Sequence, residues 1–180
     1  MAERLRAVVL VEGTSDQVAL ETLAERLGAS LVEERIEIVP IGGAQAIGRF
    51  VAHYGSEGIA LAGLYDAGEE REFKRAVGDD LEAHGFFACE PDLEAELIRA
   101  LGTEAVEAVA DANGDLVAFR TLQKQPEWRD RPVDEQLRRF MGSGGSRKIR
   151  YARLLVEALE PDAAPRPLRL VLERALSARG

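Results

Sequence analysis

Short, continuously apolar runs alternate with longer amphipathic stretches through the first half of the chain. Ala7 to Val11, Ile36 to Ile41, Ile59 to Tyr65 and Gly85 to Cys89 have the length and composition of strands. They lack the apolar–polar alternation of a half-solvated sheet, so helices are expected on both faces. Ser15 to Leu27 reads as one such helix, with Leu20, Leu23 and Leu27 on a stripe and Gly28 as its stop. Ala44 to Tyr54 and Glu69 to Val77 carry weaker helical periods. The alternation predicts an α/β doubly wound fold around a central, mainly parallel four-stranded sheet. After Pro91 the strand signal ends, and helices are expected over Asp92 to Leu101, Thr103 to Ala112, Asp134 to Met141, Arg147 to Leu159 and Leu168 to Ala178. Gly142 to Ser146 is the one piece that reads as flexible and of low complexity. The chain thus divides into an α/β domain, 1–102, and a helical C-terminal extension, 103–180.

Composition narrows the chemistry. Of 180 residues 46% are apolar, enough for one core, yet no apolar run approaches the roughly 20 residues of a membrane span. The opening Met-Ala-Glu-Arg enters a strand without an export-type apolar segment, so a cytoplasmic protein is expected. One cysteine, Cys89, cannot form an internal disulfide, and His53 and His84 cannot build a Cys/His zinc cluster. Cys89 ends an apolar strand and reads as a small buried side chain. The phosphate-loop sequence GxxxxGK[ST] is absent from these residues, and Gly42-Gly43 with Gly48 reads as a tight strand-to-helix turn. The net charge of −9 is unevenly spread: residues 1–118 sum to −15 and residues 119–180 to +6. That division fits either two solvated surfaces or an acidic metal site beside a basic ledge for a polyanion.

Acids stand where the first, third and fourth strands end: Glu12 and Asp16, then Asp66 with Glu69 and Glu70, then Asp92 and Glu94. In an open parallel sheet those ends share one edge, where ligands bind. Asp16 precedes Leu20, Leu23 and Leu27 by four, seven and eleven residues, on the centreline of the buried face. Glu94 falls among Leu97, Ile98 and Leu101. Acids at helix starts often serve only as caps. Three converging sets, however, repel one another unless a cation lies between them. Without Cys or His to hand, Mg²⁺ or Mn²⁺ is the cation such oxygens suit.

Val8-Val9-Leu10-Val11-Glu12-Gly13-Thr14-Ser15-Asp16, Gly63-Leu64-Tyr65-Asp66 and Pro91-Asp92-Leu93-Glu94 together resemble a TOPRIM domain, in particular that of OLD-family nucleases. The resemblance spans about residues 5 to 101. It implies that Glu12 is a metal ligand and a general acid/base, that Asp16 and Asp66 hold or support a metal, and that Asp92 and Glu94 hold a second. The family's second motif is commonly Asp-x-Asp, whereas Gly68 stands here at the third position. Glu69 or Glu70 could supply that oxygen. The departure leaves open a one-metal site or a domain that binds without cutting.

Lys148 precedes Ala152, Leu155 and Leu159 by four, seven and eleven residues, the inward phase of Asp16. A lysine so placed either snorkels to water or, by the resemblance, stabilises charge on a phosphoryl group. Arg147, Arg150, Lys124 and Arg129 could follow a nucleic-acid backbone, or simply be solvated. The function implied is Mg²⁺- or Mn²⁺-dependent cleavage of phosphodiester bonds in DNA, ahead of RNA, with one or two ions. The family's usual ATPase would then be separately encoded, or the action independent of ATP. The alternatives are a non-catalytic module that binds nucleic acid or a partner, and a response-regulator receiver, whose paired acids and late-strand lysine this chain lacks. No oligomeric state follows from the sequence.

Overall fold

In the computed structural model, which describes residues 4–178, the four expected strands form one sheet: β1 (Ala7–Val11), β2 (Ile36–Pro40), β3 (Ala60–Asp66) and β4 (Phe86–Cys89). Every pairing is parallel, and the order is β2-β1-β3-β4. All five residues of β1 are buried. Ala7, Val9 and Val11 enter one core and Val8 and Leu10 the other, because successive side chains point to opposite faces.

Nine α-helices surround the sheet among the described residues: α1 (Thr14–Arg26), α2 (Ile47–Ser56), α3 (Glu70–Val77), α4 (Leu93–Leu101), α5 (Thr103–Ala112), α6 (Leu116–Gln123), α7 (Val133–Gly142), α8 (Gly145–Ala158) and α9 (Arg166–Leu176). α2 and α3 cover the face that presents Val8 and Leu10, with Phe73 stacked on Tyr65 at 4.8 Å. The opposite face lies under α1 and α9. α9 rests on β1, β3 and β4, and α8 packs against α1 and α4, so residues after 102 share the core of the sheet. Gly63 is required where β3 meets β4: a methyl group there would overlap the Phe86 ring and lie 3.0 Å from the Leu10 carbonyl oxygen.

Three expectations shift. α6 was not anticipated. Its eight residues follow an Asn113-Gly114 turn and bury only one side chain fully, Phe119, which meets Phe140 edge-on at 5.4 Å. Gly142 to Ser146 is not an open loop, since α7 ends at Gly142 and α8 begins at Gly145. Ser143 Oγ donates to the Phe140 carbonyl at 2.8 Å, and Gly144 makes the turn with φ 82°. Leu27 lies past the end of α1 and is exposed, leaving Leu20 and Leu23 as the stripe.

Asp115, at the start of α6, fastens it to α8: its Oδ2 accepts from the Tyr151 hydroxyl at 2.7 Å and from Arg150 Nη2 at 2.5 Å. Burial works against this carboxylate, but the Tyr151 and Arg150 bonds outweigh it and hold its pKa below the usual range. A depressed folded-state pKa gives stability that is complete above the unfolded value of about 3.9 and is lost as pH falls through the folded one. Asp115→Asn should therefore cost about 1 kcal/mol at pH 6, with the difference from wild type shrinking below about pH 4. Urea denaturation across about pH 2.5 to 6 measures it; a pH-independent difference would contradict the assignment.

Candidate active site

The order β2-β1-β3-β4 places the switch of winding direction between β1 and β3, where a crevice opens beyond the strand ends. Glu12 directly follows β1 and Asp66 ends β3. The two are locked together: the Asp66 backbone N–H donates to Glu12 Oε1 at 2.9 Å. Asp16, 9% exposed on the first turn of α1, folds back to accept the Gly13 N–H at 3.0 Å. It caps the helix and still contributes its charge to the crevice.

That charge is crowded. Burial pushes Asp16 up to about 6, against the opposing effects of the Gly13 N–H and Lys148. Burial pushes Asp66 up to about 8, and the charges of Glu12, Asp16 and Asp92 add to the rise. Glu12 is raised as well, chiefly by burial, with the Asp66 N–H pulling the other way and Glu69 adding to the rise. Among the described residues none of Glu12, Asp16 and Asp66 has a cation within ion-pair distance.

The third acidic set differs. Asp92 caps α4, its Oδ1 accepting the Ala95 N–H at 3.0 Å, while its Oδ2 receives Nε and Nη2 of Arg138 at 2.7 and 2.6 Å. Glu94 is buried, and its Oε1 lies 3.4 Å from Lys148 Nζ. Burial opposes the charge of Lys148, but Glu94, Asp16 and Asp66 outweigh it and raise its pKa. Lys148 therefore does not snorkel away; it reaches the acids as its helical phase indicated. Arg138 carries no sequence signal of its own. It lies on α7, far along the chain from its carboxylate, and only the packing of α7 on α4 brings them together.

The two acids after β3 separate. Glu70 is exposed and pairs with Lys74 at 2.9 Å, whereas the charge of Glu69 reaches Glu12. Of the two, Glu69 is the one whose charge is felt at Glu12. Of the basic residues, Arg150 is held by Asp115, and Arg147 stacks 4.1 Å from the Phe140 ring and donates to Ser143 Oγ at 3.2 Å. Arg129 lies 3.5 Å from Asp130, and Lys124 is exposed. Cys89 is buried, and burial raises its thiol pKa well above the usual value, consistent with an inert side chain.

Among the described residues no three His, Cys, Asp or Glu side chains form a ready-made metal shell. The fit to a hard divalent ion is chemical: Glu12, Asp16 and Asp66 are oxygen donors whose buried charges raise one another's pKa values. Asp92 and Glu94, expected as ligands of a second ion, already have cations from α7 and α8.

The parallel sheet carries Glu-Gly-x-x-Asp after its first strand and an aspartate at the end of the adjacent one, the arrangement expected from the resemblance to a TOPRIM domain. Residues 5–67 match the family described as the TOPRIM domain of overcoming lysogenization defect (OLD) protein-like proteins. The fold of the chain is similar to the C-terminal region of the Burkholderia pseudomallei OLD protein, at 20% identity and a TM-score of 0.69, covering 96% of this chain and 98% of that one. The C-terminal region of the Xanthomonas campestris pv. campestris OLD protein is similar at 24% identity and a TM-score of 0.69, covering 97% and 96%. These likenesses show a shared fold that extends through the helical part. No curated protein matches the chain. OLD TOPRIM domains form a family of metal-dependent nucleases, and TOPRIM domains typically bind divalent metals. No helix among the described residues is long and apolar enough to cross a membrane.

If burial and neighbouring acids disfavour ionisation in this crevice, holding Asp66 neutral in the fold at pH 7 costs stability, and removing its ionisable group should relieve the metal-free fold. At pH 7 in EDTA, Asp66→Asn is expected to raise Tm by about 2–4 °C, the shift that about 1 kcal/mol produces at this chain length. Scanning calorimetry checks it; a lower Tm for the variant would refute the crowding.

Proposed function

We propose that this chain hydrolyses phosphodiester bonds in DNA, ahead of RNA, as a Mg²⁺- or Mn²⁺-dependent nuclease. The observation that carries the proposal is the junction of β1 and β3, where Glu12, Asp16 and Asp66 share a crevice whose charge Lys148 balances in part. Those three carboxylates would hold the ion. A bound divalent ion supplies Lewis acidity at the phosphoryl group and a counter-charge to its oxygens.

The remaining work falls to side chains of this protein. Glu12 is fixed through Oε1 by the Asp66 N–H, which leaves Oε2 to take a proton from an attacking water. Lys148 presents a firmly charged ammonium beside the same crevice, where it can meet negative charge gathering on the phosphoryl oxygens. Lys124 and Arg129, both exposed, would meet the nucleic-acid backbone. The excess of acids makes affinity for nucleic acid weakest without metal.

A second reading has its own observation. With Arg138 on Asp92 and Lys148 on Glu94, the third motif is neutralised, as in a module that binds a strand without cutting it. Incubation with supercoiled plasmid and Mn²⁺ separates the two. Nicked circles are expected from the wild type, with the rate reduced by about 10²-fold or more in Glu12→Gln and abolished by EDTA. Calorimetric binding of Mn²⁺ without nicking by the wild type would favour the module.

A further inference from the structure

The chain has one tryptophan, and it belongs to neither hydrophobic core. Trp128 lies on the connection between α6 and α7 and lines a cleft of about 400 Å³ with Asp92, Glu94, Glu135, Arg138, Arg139 and Lys148, Glu135 being paired with Arg131 at 3.5 Å. That volume lies within the range of small-ligand sites. The connection is held in place: Gln136, 3% exposed, donates to the Trp128 carbonyl at 2.7 Å and accepts from Gln123 Nε2 at 2.7 Å. A half-buried indole is therefore presented at a fixed position, without another aromatic ring against it among the described residues.

The charges around it are largely spoken for. Asp92 has Arg138 and Glu94 has Lys148. Arg139 lies over one face of the indole, its guanidinium carbon 5.9 Å from the ring centroid, and has no carboxylate partner among the described residues, which leaves the other face of the ring for a ligand. A flat aromatic surface beside a spare guanidinium suits a ligand with a π-face at one end and an anion at the other. An apolar ligand would desolvate the surrounding charges at a cost, and a bare anion would make no use of the indole. The cleft also shares Glu94 and Lys148 with the acidic crevice, so its occupant adjoins the phosphate placed there.

We propose that this cleft holds one unstacked nucleotide of the substrate strand, its base on Trp128 and its phosphate on Arg139. The proposal deepens the nucleic-acid reading of the crevice and rests on it for the identity of the strand. The single indole makes the test direct. A short single-stranded DNA, titrated into the full chain in EDTA at low salt, should quench the intrinsic fluorescence in step with anisotropy of the labelled strand. Trp128→Ala should weaken binding about tenfold, within the range for loss of one stacked base, while Trp128→Phe should stay within about threefold because it retains a ring. Arg139→Gln should reduce the salt slope by about one contact.

An oligonucleotide whose sugars carry no bases should bind without quenching. Equal quenching by that strand, or unchanged affinity in Trp128→Ala, would overturn the proposal. Saturation by dAMP at or below the oligonucleotide's concentration would assign the cleft to a free nucleotide and overturn the strand reading. Quenching by DNA in a protein that never nicks plasmid would leave the subsite standing and remove the nuclease reading; nicking without quenching would do the reverse.

Discussion

The Asp66 N–H reaching Glu12 Oε1 is the contact around which the site is built. It exists because β1 and β3 are adjacent and parallel while the connections after them leave in opposite directions. A parallel ladder in register ends its strands at one edge, and that edge cannot be closed by side chains from within the sheet. Acids at both ends therefore meet, and the fold cannot separate them without breaking the register that buries Val8 to Val11. Burial then does more than proximity: it is the largest cause of the raised pKa of Glu12, Asp16 and Asp66 alike. The structure thus places ionisable carboxyls where the neutral form is favoured.

The helical part of the chain answers that charge and also completes the fold. α9 covers β1, β3 and β4, so the sheet would expose an apolar face without it. α7 and α8 deliver Arg138 and Lys148 to Asp92 and Glu94. The imbalance between an acidic first part and a basic last part is therefore, at these positions, a contact across the fold and more than a drift in composition. At others it is local scaffolding, as where Arg150 closes on Asp115 and Arg147 covers Phe140.

What could be read from the sequence was what helical and strand periodicity encode. The four strands and the inward phases of Asp16, Glu94 and Lys148 follow from positions a few residues apart, where geometry is fixed by the backbone. The family resemblance added the order of the motifs and an expected role for the lysine. What escaped the reading depends on tertiary packing. Arg138 finds Asp92 only because α7 lies on α4, and Glu69 is separated from Glu70 by the exact turn that joins β3 to α3. α6 was hidden because a two-turn helix with one fully buried side chain has too little period to see. Gly142 to Ser146 looked flexible because glycine and serine resist helix in isolation, whereas the packing of α7 and α8 and a serine bond confine the break to two residues.

The ion pairs of the third motif are a consequence of this packing and contribute little to its cause. Arg138 is 46% exposed in its side chain and Lys148 37%, and pairs so open to water contribute about 0–1 kcal/mol each. Burying the stripe of Ala152, Leu155 and Leu159, at 4%, 1% and 3% exposure, outweighs that by several kcal/mol, on the order of 1.5–3 for each leucine. The stripe sets the rotation of α8, and Lys148 lies on the same line four residues before it. Its ammonium therefore arrives at the acids by helix packing, and the acids then keep it charged. Attraction alone could not have chosen lysine at this position over the neighbouring Arg147, whose different phase on the same helix sends its guanidinium to Phe140.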